Sequence, residues 1–312
     1  MGREWRHFRR AIRKRVRVFS SLEAEVLRLE NAKAVHDMRV AARRLEEILA
    51  FGKPFLGAGL VRPVVRSARA WRGTLGNLRN QDVLLRLIEA EVRRGGRGDP
   101  HPMQLVGKII SEERKAELEM VRKTLCKLDL GRSKRAAEEI LIRLDRLARL
   151  EDFPQDVIEK RLRKRLQARV DRFERTAGKA RKNRSPKRIH AVRIAVKKVR
   201  YLAEVVKELR LAEISQAAAA LKSMQDSLGR WRDLDMLENA ILETCRSGRF
   251  LEANLEAAEA LLRSARRSRK RQDPLVNRFF STLEGKDTFR VLAGVSLQLG
   301  AESQDKPPEP IT

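Results

Sequence analysis

The strongest constraint on the fold is an internal repeat. The segment VHDMRVAARRL begins at Val35, and IHAVRIAVKKV begins 154 residues later at Ile189. A second pair keeps the same order: LGNLRNQD begins at Leu75, and LGRWRDLD begins 153 residues later at Leu228. Two matches at nearly one offset rarely arise by chance, so the chain is predicted to be a tandem duplication of a unit of about 150 residues.

The repeat predicts two halves, 1–152 and 153–300, followed by a disordered tail at 301–312. Helix-forming residues dominate, and Gly and Pro are sparse, which predicts an all-α protein. The predicted helices span 3–31, 32–51, 60–94, 102–127, 132–150, 155–181, 186–210, 212–247 and 249–271. Duplicated halves commonly pack about a pseudo-two-fold axis, so equivalent residues are expected to face each other.

The repeated helix in the second half carries a stripe of positive charge. With His190 at zero on a helical wheel, Arg193, Lys197 and Arg200 fall within about 80° of it. Apolar residues lie on both flanks of this stripe: Val192, Val196, Val199 and Leu202 on one, and Ile194 and Tyr201 on the other. A stripe bordered in this way is expected to face a wet groove between packed helices.

The first copy repeats the stripe with one departure. His36, Arg39 and Arg43 occupy the matching positions, but Glu46 stands where the second half has Arg200. This carboxylate either pairs locally with Arg39 or Arg43 or weakens an anion site in the first half. The sequence leaves both readings open.

The charge of the chain indicates a polyanionic partner. The net charge is +28, which favours nucleic acid, an anionic membrane surface or another polyanion. Arginine offers a planar fork of donors that suits phosphate, and lysine offers a point charge. Ser185 and Pro186 resemble an N-cap and a first helical residue, which places His190 near a helix N-terminus that favours anions.

The second repeated motif adds two arginines to the candidate site. Asp82 follows Arg79, and Asp235 follows Arg232, each one helical turn on. In one interpretation, each aspartate forms an intrahelical ion pair that orients its arginine and has only a structural role. In the other, the arginine oriented in this way contacts the anion. Both interpretations stay open. Candidate secondary contacts upstream are Arg69, Arg72 and Lys222.

Several function classes lack their sequence signals. The chain has no phosphate-binding loop and no evident carboxylate cluster for Mg²⁺, and its four histidines form no spaced metal set, so we expect no catalysis, no cofactor and no metal. No apolar run is long enough to span a membrane. Cys126 and Cys245 are expected to be reduced core thiols of a cytoplasmic protein.

The paired motifs resemble those of the CHAD family, the conserved histidine α-helical domain. VHDMRVAARRLEEILAFGKPFL and IHAVRIAVKKVRYLAEVVKEL resemble its two histidine helices, and LGNLRNQDV and LGRWRDLDM resemble its Leu-Gly-x-x-Arg-Asp-x-Asp segment. The resemblance covers nearly the whole chain. Glu46 and Asn80 depart from the family pattern.

The resemblance implies a fold of two tandem four-helix bundles, related by pseudo-two-fold symmetry, with a basic central channel that binds inorganic polyphosphate. Carried over to this sequence, the channel residues are His36, Arg39, Arg43, Arg44, His190, Arg193, Lys197, Lys198 and Arg200, and the second motif adds Arg79 and Arg232. The wheel places Arg44 and Lys198 off the stripe.

The expected function is therefore non-catalytic binding of polyphosphate by a targeting or scaffold module. The alternative is non-specific binding of duplex nucleic acid through its phosphates. Single strands are disfavoured because aromatic residues make up only 4% of the chain and the stripes carry only Tyr201, so stacking platforms are missing. We expect a cytoplasmic protein, with polyphosphate granules as a candidate location.

Overall fold

The protein is built from α-helices. The computed structural model describes residues 3–28, 31–94, 102–128, 130–149, 156–211 and 214–285, and these contain eleven helices and no strand. The all-α prediction is confirmed. The predicted junction near residue 153 and the predicted tail at 301–312 lie outside the described residues.

The helices follow one another with short connections. They are α1 (Arg3–Arg28), α2 (Ala32–Leu56), α3 (Ala58–Thr74), α4 (Gly76–Arg94), α5 (Met103–Cys126), α6 (Leu130–Leu147), α7 (Asp156–Lys182), α8 (Pro186–Leu209), α9 (Ser215–Arg246), α10 (Gly248–Ala253) and α11 (Leu255–Gly285). The two histidine motifs therefore lie on α2 and α8.

Proline did not end helices where the sequence predicted it would. The helix α2 continues through Pro54, although proline has no N–H to donate to the carbonyl of Ala50. That carbonyl instead accepts a hydrogen bond of 3.1 Å from Arg165 of α7. The helix ends only at Gly57, whose φ of 87° suits a residue without a Cβ. The helix α11 likewise runs through Pro274.

The predicted helix at 60–94 is two helices. The chain leaves helical geometry at Leu75, where φ is −80° and ψ is 8°. The Leu75 side chain is fully buried, so the bend between α3 and α4 is anchored in the core. This bend turns the second motif, at the start of α4, toward α2.

Neighbouring helices pack in the same order in both halves. The helix α1 packs on α2 and α2 on α3, just as α7 packs on α8 and α8 on α9. One large apolar cluster includes Leu45 of α2 and Val199 of α8, and thus spans both halves. The repeated packing order agrees with a duplication, and the symmetry axis itself stays a prediction.

Ionic contacts hold α2 and α8 in place. Glu47 of α2 lies 2.8 Å from Arg169 of α7. Arg15 of α1 is only 5% exposed, donates to the carbonyl of Arg44 at 2.7 Å and pairs with Glu208 of α8 at 3.0 Å. An arginine this buried is costly unless paired, so its partners fix the relative positions of α1, α2 and α8.

The two cysteines differ. Cys245 is buried as predicted, whereas Cys126 is exposed at the end of α5, so the prediction that Cys126 is a core thiol was wrong.

None of the helices in the described part of the chain has the length and apolar character needed to cross a membrane.

Candidate functional site

The start of α8 follows the sequence prediction in part. Ser185 is the N-cap residue, with an extended backbone, and Pro186 is the first helical residue. The Ser185 hydroxyl makes no capping hydrogen bond; its N–H instead donates to Oδ1 of Asn183 at 3.0 Å. His190 lies within the first two turns and is exposed.

The predicted stripe on α8 has one buried flank and one open flank. Val192, Val196 and Val199 are fully buried, as predicted. On the other side Tyr201 is 7% exposed, but Ile194 is 41% exposed, so the expectation of an apolar border there fails at Ile194. The stripe therefore adjoins solvent toward the start of α8 and becomes enclosed further along the helix.

Five cations from three helices form a central basic cluster: Arg39 and Arg43 of α2, Arg79 of α4, and Arg193 and Lys197 of α8. Burial, followed by the charges of Arg193 and Arg43, lowers the pKa of Lys197 from 10.5 to about 7. Burial also lowers the pKa of Arg193, and the Arg43 charge contributes. Cations of both halves therefore lie within electrostatic reach of each other.

Arg39 is the second strongly perturbed member of the cluster. Burial, followed by the charges of Arg43 and Arg72, lowers its pKa to about 10. Its guanidinium donates a hydrogen bond to the carbonyl of Arg72, near the end of α3, where the helix dipole is negative. A Cβ at Gly76 would lie 3.4 Å from Arg39 Nη1, which is an ordinary contact. A Cβ at Gly229, the matching glycine of the second copy, would meet nothing within 4 Å.

The cluster has little negative charge to balance it. Within the described residues, Arg43, Arg79, Arg193 and Lys197 make no hydrogen bond or ion pair to a protein group. Two carboxylates lie near the cluster. Burial lowers the pKa of Arg193 and of Arg79, and the charge of Asp233 opposes this lowering, as does the charge of Asp82 at Arg79, while burial raises the pKa of Asp233 itself. The cluster thus leaves several donors free for an anion.

The two histidines lie beside the cluster, within electrostatic reach of its cations. Burial, followed by the charge of Arg79, lowers the pKa of His36 below its usual 6.5. Burial, followed by the charge of Arg193, lowers the pKa of His190 in the same way. Both imidazoles are therefore mainly neutral at pH 7, and a neutral imidazole donates one hydrogen bond.

Three predicted site residues lie at the edge of the cluster. Arg44 of α2 and Arg200 of α8 share one carboxylate, each at 2.9 Å from Glu204. Lys198 is exposed, and its carbonyl accepts from Arg169 at 2.7 Å. The wheel had placed Arg44 and Lys198 off the stripe, and their positions agree with it.

Glu46 pairs with neither of the arginines that the sequence suggested. It lies 2.8 Å from Arg72 and 3.2 Å from Arg69, both on α3. The carboxylate therefore neutralises two of the candidate secondary contacts rather than Arg39 or Arg43. Sequence spacing within α2 alone could not show this, because the partners belong to the next helix.

The two copies of the second motif are not equivalent. Arg232 pairs with Asp235 one turn away, as the structural reading predicted. In the first half Asp82 is 6% exposed and lies 2.8 Å from Arg114 of α5, so the predicted pair with Arg79 is not formed. Arg79 is thereby left for the central basic cluster.

Arg86 was missed by the sequence reasoning. Its charge lowers the pKa of both His36 and Arg79, so it lies beside the first-half end of the cluster. The spacing of seven residues from Arg79 places both side chains on one face of α4, and this was the signal that could have identified it.

No metal centre accompanies these cations. In the residues that the structure describes, no three His, Cys, Asp or Glu side chains come together to hold a metal ion. What the site offers chemically is an array of guanidinium, ammonium and imidazole donors.

Comparisons with known proteins agree with this architecture. PptA from Streptomyces chartreusis has 18% sequence identity and a TM-score of 0.63, with 90% of this chain and 99% of that chain covered. The CHAD domain from the plant Ricinus communis has 19% identity and a TM-score of 0.56, with 95% of this chain and 91% of that chain covered. At these identities the likeness shows the fold.

Comparison with curated proteins gave no match. The model of the CHAD domain matches residues 10–242, which is most of the chain and includes both histidine helices and both copies of the second motif. The expectation raised by the repeated motifs is therefore confirmed: this chain belongs to the CHAD domain family.

Proposed function

We propose that the protein binds inorganic polyphosphate at the central basic cluster without catalysing a reaction on it. The observation that carries the proposal is the unbalanced charge of Arg43, Arg79, Arg193 and Lys197, which lie together without a carboxylate partner among the described residues. Keeping such cations close together costs free energy, and a polyanion with closely spaced charges repays that cost.

Polyphosphate suits the cluster better than nucleic acid does. Its charges follow one another without intervening sugars or bases, so one chain can meet several adjacent cations. The only aromatic residue of the stripe, Tyr201, is 7% exposed and contacts the guanidinium groups of Arg43 and Arg200, so it offers no free face to a base. Binding is expected to weaken with salt, as for other polyanions that release counterions.

The proposed role is that of a targeting or scaffold module. The protein would bind to stores of polyphosphate in the cytoplasm, including granules, or would hold a polyphosphate chain in place there. Neither role needs a general acid, a nucleophile or a bound metal.

A competition titration tests the proposal. Labelled long-chain polyphosphate is bound to the protein and displaced by duplex DNA, RNA or heparin at near-physiological and at high salt. The expected result is that polyphosphate binds at least 100-fold more tightly (about 2.7 kcal/mol) and that the variant Arg193→Ala, Lys197→Ala loses most of that margin. Equal competition by all polyanions, with an unaffected variant, would make non-specific nucleic-acid binding the better account.

A further inference from the structure

A second basic groove lies between α3 and α6, on elements that the central basic cluster does not use. It has a volume of about 450 Å³, within the range of sites for small ligands. Arg62, Arg66 and Ser67 of α3 and Arg132 and Ser133 of α6 line it, and its lining contains no acidic residue.

Two serine hydroxyls in this groove lack protein partners. Ser67 Oγ is buried and has no hydrogen bond. Ser133 is 6% exposed, and its hydroxyl makes no hydrogen bond to any described residue. A buried hydroxyl without a partner is costly, so Ser67 Oγ is poised to donate to a ligand in the groove, and the Ser133 hydroxyl is free to donate beside it.

Arg62 and Arg66 add unpaired positive charge to the groove. Arg62 and Arg66 are one turn apart and exposed, and neither makes an ion pair or hydrogen bond within the described chain. Like charges at this spacing on a helix repel each other. Arg132 and Ser133 belong to the first turn of α6, where the helix dipole adds partial positive charge.

One face of α3 connects the groove to the central basic cluster. The residues Arg62, Arg66, Arg69 and Arg72 recur at spacings of four, three and three, which places them on the same side of the helix over roughly 15 Å. At the far end, the carbonyl of Arg72 accepts the hydrogen bond from Arg39. A chain that leaves the cluster along α3 therefore meets arginines at every turn until it reaches the groove, although at Arg69 and Arg72 it competes with Glu46.

We propose that the groove between α3 and α6 is a second phosphate-binding subsite, which holds the part of a long polyphosphate chain that extends along α3 from the central basic cluster. In this arrangement Arg62 and Arg66 contact phosphate oxygens, and the hydroxyls of Ser67 and Ser133 donate to them. The inference rests on the proposed function, because the same chain occupies both places. It predicts that affinity depends on chain length.

Calorimetric titration with long-chain polyphosphate and with tripolyphosphate tests the subsite. The groove variant is Arg62→Gln, Arg66→Gln. The matched control is Arg163→Gln, Arg172→Gln, which removes the same charge from two exposed positions of α7, a helix that packs mainly on α8. The groove variant is expected to bind the long chain about tenfold more weakly than the control does, and tripolyphosphate as the control does.

The outcomes separate this inference from the proposed function. Equal long-chain affinity in the groove variant and the control overturns the subsite. An equal loss for tripolyphosphate also overturns it, because the arginines then act only through the general field. If Arg193→Ala, Lys197→Ala binds both ligands as the wild type does, the proposed function fails at the central basic cluster, whatever the groove variant shows.

Discussion

Arg43 of α2 lies over the ring of Tyr201 of α8, with the guanidinium carbon 5.5 Å from the ring centre. Arg200, the residue before the tyrosine, lies over the same ring at 4.9 Å. One aromatic side chain thus contacts cations contributed by both repeated helices. Since a cation over an aromatic ring gains about 0.5–2 kcal/mol, this contact helps to hold like charges close together.

Replacing this ring is expected to loosen the site. Tyr201→Leu removes both cation–π contacts, so we expect the free energy of unfolding to fall by about 1–2 kcal/mol and polyphosphate affinity to fall several-fold. Urea unfolding and calorimetric titration measure the two effects. Tyr201→Phe keeps the ring and is the control; equal losses in both variants would assign the effect to the hydroxyl instead.

Polyphosphate affinity is expected to fall as the pH rises from 7 to 9. Lys197 has a pKa of about 7 in the free protein, so at higher pH it must take up a proton before it can contact the anion as a cation. Lys197→Arg remains charged throughout and is expected to flatten the profile. The exposed Lys198→Arg should retain the wild-type slope, and a flat wild-type profile would contradict the account.

The histidines act in a different pH range. Because the pKa values of His36 and His190 are lowered from 6.5, their protonation adds charge only on the acid side of neutrality. A loss of affinity above pH 7 therefore reports on Lys197 rather than on either histidine.

The free protein is expected to gain stability when Lys197 loses its charge. Its pKa falls from 10.5 to about 7 on folding, so the unfolded chain binds more protons between these values and stability rises with pH there. Lys197→Met is therefore expected to raise the free energy of unfolding at pH 7 by about 1 kcal/mol or more, with a smaller gain near pH 10. Denaturant titrations at both pH values measure this, and Lys198→Met is the exposed control. A destabilised Lys197→Met variant would show that the ammonium is compensated in the free protein.

Glu46→Gln is expected to strengthen polyphosphate binding. The substitution frees Arg69 and Arg72 from their carboxylate, and two freed arginines beside the cluster are expected to raise affinity about threefold to tenfold. Glu47→Gln makes the same change in net charge but frees Arg165 and Arg169, which contact α2 from α7. A similar gain in both variants would mean that only net charge matters.

Much of the fold and part of the site could be predicted from the sequence because both depend on local periodicity. The stripe of His190, Arg193 and Lys197 follows from helical geometry, and the family follows from the repeated motifs. The bend at Leu75 could not be predicted, because it depends on the burial of that side chain in the core. The continuation of α2 past Pro54 could not be predicted either, because it depends on Arg165 of α7, which donates a hydrogen bond to the carbonyl of Ala50.

Ion pairs between helices account for the other differences between the sequence prediction and the structure. Asp82 has Arg79 one turn before it, yet it pairs with Arg114 of α5. Glu46 likewise takes its partners from α3. Where several arginines are within reach of a carboxylate, the packing of the helices determines which of them forms the ion pair. The spacing of residues within one helix does not encode this.

The most direct test asks whether the two repeated helices build one site. The central claim is that Arg43 of α2 and Lys197 of α8 contact the same polyphosphate chain. A double-mutant cycle of Arg43→Ala and Lys197→Ala, read by calorimetric titration with a short polyphosphate, measures this coupling. The account predicts one chain bound per protein and a coupling free energy of more than about 0.5 kcal/mol. Strictly additive losses, or two equivalent chains bound per protein, would contradict it.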